Sequence, residues 1–153
     1  MCDALSYERT FFTFGMKLVE FRYTSFVNGC FDVLHRGHIK LLQYARAQGT
    51  KLIVGLDSDA RVKELKGEAR PVNPQEDRKF MLESLECVDA VYIFNSDEEL
   101  ENLVRIVGPY TMIVGEEYRE KKVIGWHPEI SLRFFPKVDG YSTTKIIKDT
   151  SPR

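Results

Sequence analysis

Phe26-Val27-Asn28-Gly29-Cys30-Phe31-Asp32-Val33-Leu34-His35-Arg36-Gly37-His38 is the stretch on which the fold turns. An apolar run from Phe21 to Val27 closes in Asn28-Gly29, and a helical pattern begins directly after His38. A strand that enters a glycine turn and leaves as a helix is a natural cradle for phosphate. The turn frees backbone N–H groups, and the helix N-terminus adds partial positive charge. Two imidazoles in such a cradle point to chemistry on phosphate, because histidine can donate to oxygens that gain charge during reaction. On spacing alone, His35 and His38 fit two structural histidines equally well. The order strand, Asn-Gly, Phe-Asp, His-x-Gly-His, helix is a rarer combination and favours a site.

Working outward, Ile39, Leu41, Leu42, Ala45 and Ala47 mark a helical apolar face that ends near Gly49. Lys51-Leu52-Ile53-Val54-Gly55-Leu56 reads as a short buried strand, and Asp57-Ser58-Asp59 can cap a helical turn through Val62 and Leu65. Gly67 to Pro74 is a polar loop punctuated by proline. A helix from about Gln75 to Glu86 and a strand from Val88 to Phe94 follow. Ser96-Asp97-Glu98-Glu99 has the form of a capping box opening a helix that buries Leu100, Leu103, Val104 and Val107. Met112-Ile113-Val114 forms another strand, and an irregular stretch runs to His127-Pro128. Leu132 to Phe135 forms the last strand, and Ser142 can cap a short terminal helix. This alternation predicts an α/β fold: one domain on a parallel five-stranded sheet with helices on both faces. Such sheets bind ligands beyond the carboxyl ends of their strands, where the His-x-Gly-His turn falls.

A length of 153 residues suits one domain, and 43% hydrophobic with 12% aromatic residues is ordinary for a soluble chain. Twenty-two basic against 23 acidic residues leave a net charge of -1, so no global field points to nucleic acid. Cys2, Cys30 and Cys87 make no C-x-x-C pair, which argues against a zinc knuckle or disulfide framework and fits a reducing cytoplasm. No apolar run approaches the roughly 20 residues of a membrane helix, and no secretory pattern opens the chain. Residues 1–15, with Phe11, Phe12 and Phe14, read as an N-terminal extension to a 16–153 domain. A tail, an oligomer contact and a misassigned start all fit that extension. Neither G-x-G-x-x-G nor G-x-x-x-x-G-K-[ST] occurs.

Two further clusters carry possible chemistry. Arg78 stands at the start of a helix behind Arg70-Pro71-Val72-Asn73-Pro74, where a guanidinium could clamp a phosphate or simply pair with a neighbouring acid. Lys66 and Arg70 precede it in a loop that could close over a triphosphate. Near the C-terminus, Lys137 and Ser142-Thr143-Thr144 offer charge, hydroxyls and helix-start N–H groups to phosphate oxygens, or an N-cap and nothing more. Glu116 and Glu117 can bind base or ribose groups, or lie solvated on a loop.

These motifs carry a family resemblance. Gly29, Phe31, Asp32, His35, Gly37 and His38 resemble the G-x-F-D-x-x-H-x-G-H signature of the cytidylyltransferase-like nucleotidyltransferases. Arg70-Pro71-Val72-Asn73-Pro74-x-Glu76-x-Arg78 is similar to the same region of bacterial heptose-1-phosphate adenylyltransferases. Ser142-Thr143-Thr144-Lys145-Ile146 resembles the Arg-x-Glu-Gly-x-Ser-Thr-Thr-Lys-Ile run of glycerol-3-phosphate cytidylyltransferases, with Lys137 at the arginine position. The Gly115-Glu116-Glu117-Tyr118 stretch also leans to the glycerol-phosphate enzymes, since the heptose enzymes prefer Lys-Gly-Gly-Asp-Tyr there.

The resemblance implies a Rossmann-like fold and transfer of a nucleoside monophosphate from ATP or CTP to a sugar or polyol phosphate, releasing pyrophosphate. It implies His35, His38 and Arg78 as catalytic residues. Gly29, Cys30, Phe31, Gly37, Lys66, Arg70, Glu116, Lys137, Ser142, Thr143 and Thr144 are the implied nucleotide-binding residues. Magnesium is expected with the triphosphate, without a dedicated carboxylate cage. A homodimer fits the resembling families, while nucleic acid and membrane partners are not expected. A reading of another class is a catalytically silent nucleotide-binding regulator.

Overall fold

The computed structural model of the chain describes residues 13–14, 17–18 and 23–151. Thr13–Phe14 (β1) and Lys17–Leu18 (β2) pair as a short antiparallel ladder. The boundary expected between a 1–15 extension and a 16–153 domain, the Phe11-Phe12 pair and the start of the apolar run at Phe21 lie outside the described residues.

Strands β3 (Thr24–Gly29), β4 (Lys51–Asp57), β5 (Ala90–Phe94), β6 (Thr111–Gly115) and β7 (Ser131–Phe135) form one sheet in the order β5-β4-β3-β6-β7. Every pairing in it is parallel. Consecutive strand residues face opposite sides, so apolar neighbours feed two cores. Val27, Leu52, Val54, Leu56 and Ile113 pack with Leu42 and Ala45 of helix α1 (Arg36–Ala47). Phe26, Phe94 and Met112 pack on the other face, with Leu100 and Val104. Burial on both faces explains why the strands read as apolar runs rather than alternating patterns.

Parallel strands need crossovers, and helices supply most of them. Helices α2 (Asp59–Lys66) and α3 (Gln75–Glu83) link β4 to β5, and α4 (Asp97–Val107) links β5 to β6. Ser58 caps α2 by accepting from the Arg61 N–H, and Ser96 caps α4 through the Glu99 N–H. The return bond of the capping box shifts by one residue, because Glu99 accepts from the Asn95 N–H. A single 3₁₀ turn at Glu116–Tyr118 and an irregular segment lead to β7, and helix α5 (Thr143–Thr150) closes the described fold.

Helix α1 opens at Arg36 rather than after His38, several strand ends shift by a residue, and the α3–β5 boundaries move further. Helix α3 stops at Glu83 instead of Glu86, since Leu85 and Val88 already make turn bonds. Strand β5 begins at Ala90 instead of Val88: the Asp89 N–H donates to the Leu52 carbonyl, but the Leu52 N–H goes to the Asp89 carboxylate instead of a strand carbonyl. Among the described residues, no helix is long and apolar enough to cross a membrane.

The sheet order places β3 beside β6. From β3 the chain crosses through α1 to β4 on one side, while β6 and β7 extend the sheet on the other. The crevice beyond the carboxyl ends of β3 and β6 is therefore the topological switch point. Helix α1, which carries His38, is seated on the sheet by the fully buried Leu42 and Ala45. Truncation of Leu42 to alanine should cost about 2–5 kcal/mol, read as a lower urea midpoint with an unchanged slope.

Candidate functional site

The chain leaves β3 through a loop in which two residues with side chains take left-handed backbone: Phe31 at φ +46° and Val33 at φ +50°. Such a conformation costs about 1–3 kcal/mol per residue and persists only where the surroundings over-determine it. Asp32, between them, supplies the surroundings. Its carboxylate is fully buried, accepting from the Asn73 N–H at 3.0 Å on Oδ1 and from the Val72 N–H at 2.8 Å and Arg70 Nε at 3.0 Å on Oδ2. Burial alone would push its pKa up, but the Asn73 and Val72 N–H groups and Arg70 hold it below the usual carboxylate range. The Asp32 carbonyl accepts from Thr143 Oγ1 at 2.7 Å, which ties α5 to the same loop.

His35 is the N-cap of α1, and its Nδ1 accepts from the Gly37 N–H at 3.1 Å. A neutral ring that accepts at Nδ1 carries its proton at Nε2, so the cap sets the tautomer and leaves one donor free. His38, one turn on, stacks against His35 with ring centroids 3.8 Å apart and 21° between planes. Gly37 is required for this packing, because a Cβ there would lie 2.9 Å from His35 Cε1. Burial, then the charges of His35 and Lys66, push the His38 pKa down to about 4, and burial lowers that of His35 as well. Both rings are therefore neutral donors at pH 7. Nδ1 of His38 is buried without a protein partner among the described residues.

Arg78 sits elsewhere than its sequence position suggests. The guanidinium is 0% exposed and faces four protein acceptors rather than the cleft. Nη1 donates to the carbonyls of Cys30 at 2.7 Å and Asp57 at 2.8 Å, Nε to that of Asn73 at 2.9 Å, and Nη2 to Asp59 Oδ1 at 2.7 Å. It joins the ends of β3 and β4, the start of α2 and the loop before α3, so its geometry is that of a positioning residue rather than a phosphate clamp. Arg70 is likewise docked on Asp32 rather than standing free in a loop, although its Nη2 is buried without a partner among the described residues.

Lys66 ends α2 as an exposed side chain whose charge reaches Cys30 and His38. The Cys30 thiol donates to Asp57 Oδ2 at 3.5 Å, and burial followed by the Asp57 charge raises its pKa, which suits a packed thiol and not a nucleophile. Phe31 is buried with its ring against His38. Gly29 ends β3 where the loop departs.

At the C-terminal side, Ser142 caps α5 by accepting from the Lys145 N–H, and Thr143 is taken up by Asp32. Thr144 and Lys137 are exposed. Glu116 is held by Arg119 in a two-pronged pair of 2.6 and 2.9 Å, and the guanidinium lies 4.5 Å over the Phe134 ring. Its carboxylate is paired within its own turn and stays exposed. Neither Tyr118, which stands in the Gly115-Glu116-Glu117-Tyr118 stretch, nor Tyr141 is among the site residues expected from the sequence. Burial raises the Tyr118 pKa, followed by the Glu117, Asp57 and Cys30 charges. Tyr141 stacks on His35, a contact that no spacing in the sequence announces.

The cytidylyltransferase-like family profile matches residues 26–149. Similar proteins include the bifunctional protein HldE of a Nitratiruptor species, 50% identical over 123 residues, which cover 80% of this chain and 26% of that protein. The bifunctional protein HldE of Aliarcobacter butzleri is 47% identical over 134 residues, covering 88% of this chain and 27% of its own. The chain therefore spans about a quarter of the length of these relatives. Among solved structures, the lipopolysaccharide core biosynthesis protein from Thermoplasma volcanium superposes with a TM-score of 0.60 at 22% identity, over 76% of this chain and 97% of that one. A bifunctional NMN adenylyltransferase/ADP ribose pyrophosphatase from Francisella tularensis gives 0.58 at 17% identity, over 83% and 41%. At these identities the structural likeness shows the fold.

Two outcomes follow from the site's geometry. Replacing Arg78 with alanine strands buried carbonyls and the Asp59 carboxylate, and should lower stability by about 3–5 kcal/mol in urea unfolding. Acid should weaken the fold through His38: its folded pKa of about 4 lies below the ordinary 6.5, so the unfolded chain takes up the proton first. The stability is fully present above pH 6.5 and is lost as pH falls toward 4, with His35 shifting in the same direction. A His38→Gln variant should show a shallower decline of the urea midpoint over that range.

Proposed function

The chain belongs to the cytidylyltransferase-like family, and on that premise we propose that it transfers an adenylyl group from ATP to a heptose 1-phosphate, releasing pyrophosphate. The observation that carries the reading is the stacked, neutral His35–His38 pair at the switch point of the sheet. An oxygen of the acceptor phosphate attacks the α-phosphorus, the bond to the β-phosphate oxygen breaks in line, and pyrophosphate departs with that electron pair. The attacking group is already an anion, so no general base and no covalent enzyme intermediate are needed. Catalysis then consists of positioning and of stabilising charge that grows on phosphate oxygens. His35 donates from Nε2, and His38 contributes a second neutral imidazole. Neither must shed a proton first.

Lys66, Lys137 and the start of α5 supply positive charge around the phosphates. Arg78 and Asp32 act one layer behind, by holding the loops that present these groups. Magnesium is proposed to accompany the triphosphate and offset its charge. Asp32 is already engaged by three donors, and among the described residues no group of three His, Cys, Asp or Glu gathers.

The Arg70-to-Arg78 stretch and the HldE relatives support the heptose acceptor and ATP. A second reading, cytidylyl transfer to glycerol 3-phosphate, is favoured by Gly115-Glu116-Glu117-Tyr118 and by Ser142 to Ile146. Pyrophosphate release measured for ATP, CTP, GTP and UTP against heptose 1-phosphate and glycerol 3-phosphate separates the two. The ATP–heptose pair is expected to turn over fastest. Removing the His38 imidazole, as His38→Ala, should cost roughly a hundred- to a thousandfold in turnover while the chain stays folded. Undiminished pyrophosphate release by that variant would overturn the assignment.

A further inference from the structure

Four rings form a column through the site. Phe31, 3% exposed, lies 5.4 Å from His38, His38 lies 3.8 Å from His35, and His35 lies 6.3 Å from Tyr141. The column runs from the core to the surface, where Tyr141 is 37% exposed. The last two planes are only 27° apart, within the range in which offset rings attract. Tyr141 belongs to the segment before α5, far along the chain from His35, and two features bring it there. Gly140 takes φ +82° to make the turn, and Thr143 anchors the helix start on the Asp32 carbonyl. Tyr141 thereby comes to rest beside the start of α1, where a Cβ built on Gly37 would make an ordinary 3.5 Å contact with the Tyr141 Cβ.

His35 is otherwise held at one point of its ring, the Nδ1 bond to the Gly37 N–H. One hydrogen bond fixes where that nitrogen sits but leaves the plane free to swing about it. His38 stacks closely on the ring, and Tyr141 lies near-parallel to it at the longer, offset distance.

We propose that Tyr141 is a positioning residue for the transfer reaction, the outer plate that keeps the His35 imidazole flat against His38 so that its Nε2–H points at the reacting phosphate. The kinetic part of this inference rests on the nucleotidyl-transfer reading, while the seating of His35 stands on geometry alone. The ring acts through His35 and not on substrate, so its loss should lower kcat and leave KM for ATP unchanged. Small misplacements of a catalytic group can cost about a hundredfold in rate.

The test compares Tyr141→Ala with Tyr141→Phe in steady-state pyrophosphate release and in imidazole NMR spectra. The chain has three histidines, so its ring signals can be assigned by substitution. Tyr141→Ala is expected to drop kcat by roughly a hundredfold, hold KM, and move the His35 ring signal. Tyr141→Phe, which keeps the plate, should restore all three. A wild-type kcat, an unmoved His35 signal, or a raised KM at constant kcat would each overturn the proposal. Should Tyr141→Ala fail a thermal-melt check, Tyr141→Leu keeps the apolar bulk without the ring and carries the same expectations. If the wild-type chain releases no pyrophosphate with any nucleotide, the transfer reading fails, and the NMR comparison still decides whether Tyr141 seats His35.

Discussion

A guanidinium sealed from water must find all its partners within the protein, and Arg78 meets that demand by drawing separate segments to one point. The carbonyls of Cys30, Asp57 and Asn73 and the carboxylate of Asp59 converge on it. Unpaired, that charge would be among the costliest groups in the molecule. Paired, it makes the ends of β3 and β4, the start of α2 and the loop before α3 mutually dependent. Asp32 extends the same network with the opposite sign, by gathering Arg70, Val72, Asn73 and Thr143. The two buried charges act on adjacent stretches of one loop, and left-handed backbone at Phe31 and Val33 is tolerated between them.

The imidazoles rest on that frame. A helix start, a glycine without a side chain and a fully used carboxylate set where His35 and His38 stand, and burial sets their charge state. The fold thereby separates two tasks that the sequence mingles within one segment. Asp32 and Arg78 hold the loops, and His35 and His38 stack at the start of α1, beyond the carboxyl end of β3.

Much of this is legible in the sequence because its causes are local. Leu52 to Leu56 and Met112 to Val114 read as strands because burial on both faces demands apolar residues throughout. Ser58, Ser96 and Ser142 read as caps because a cap is a relation between a hydroxyl and an N–H three residues on. The true place of Arg78 escapes such a reading because three of its four acceptors are backbone carbonyls, which every residue possesses and no letter records. Asp89 displaces the start of β5 for a similar reason, its partner being a main-chain N–H on another strand. The Thr143–Asp32 bond spans 111 positions, and the Tyr141–His35 contact is of the same long-range kind. Periodicity sees neighbours along an element, whereas these groups meet only once the sheet has brought two loops to one end.

The uncharged state of the stacked histidines has a consequence for solution behaviour. Their low proton affinity comes first from burial, which resists charge. A polyanion seated against the rings reverses that balance, since a neighbouring negative charge favours the protonated imidazole. Ligand and proton are then linked: whatever rise in ring pKa accompanies anion binding takes protons from the buffer and makes binding tighter at lower pH. In calorimetry the observed heat would change with the ionisation enthalpy of the buffer, making the crevice a proton acceptor each time it fills.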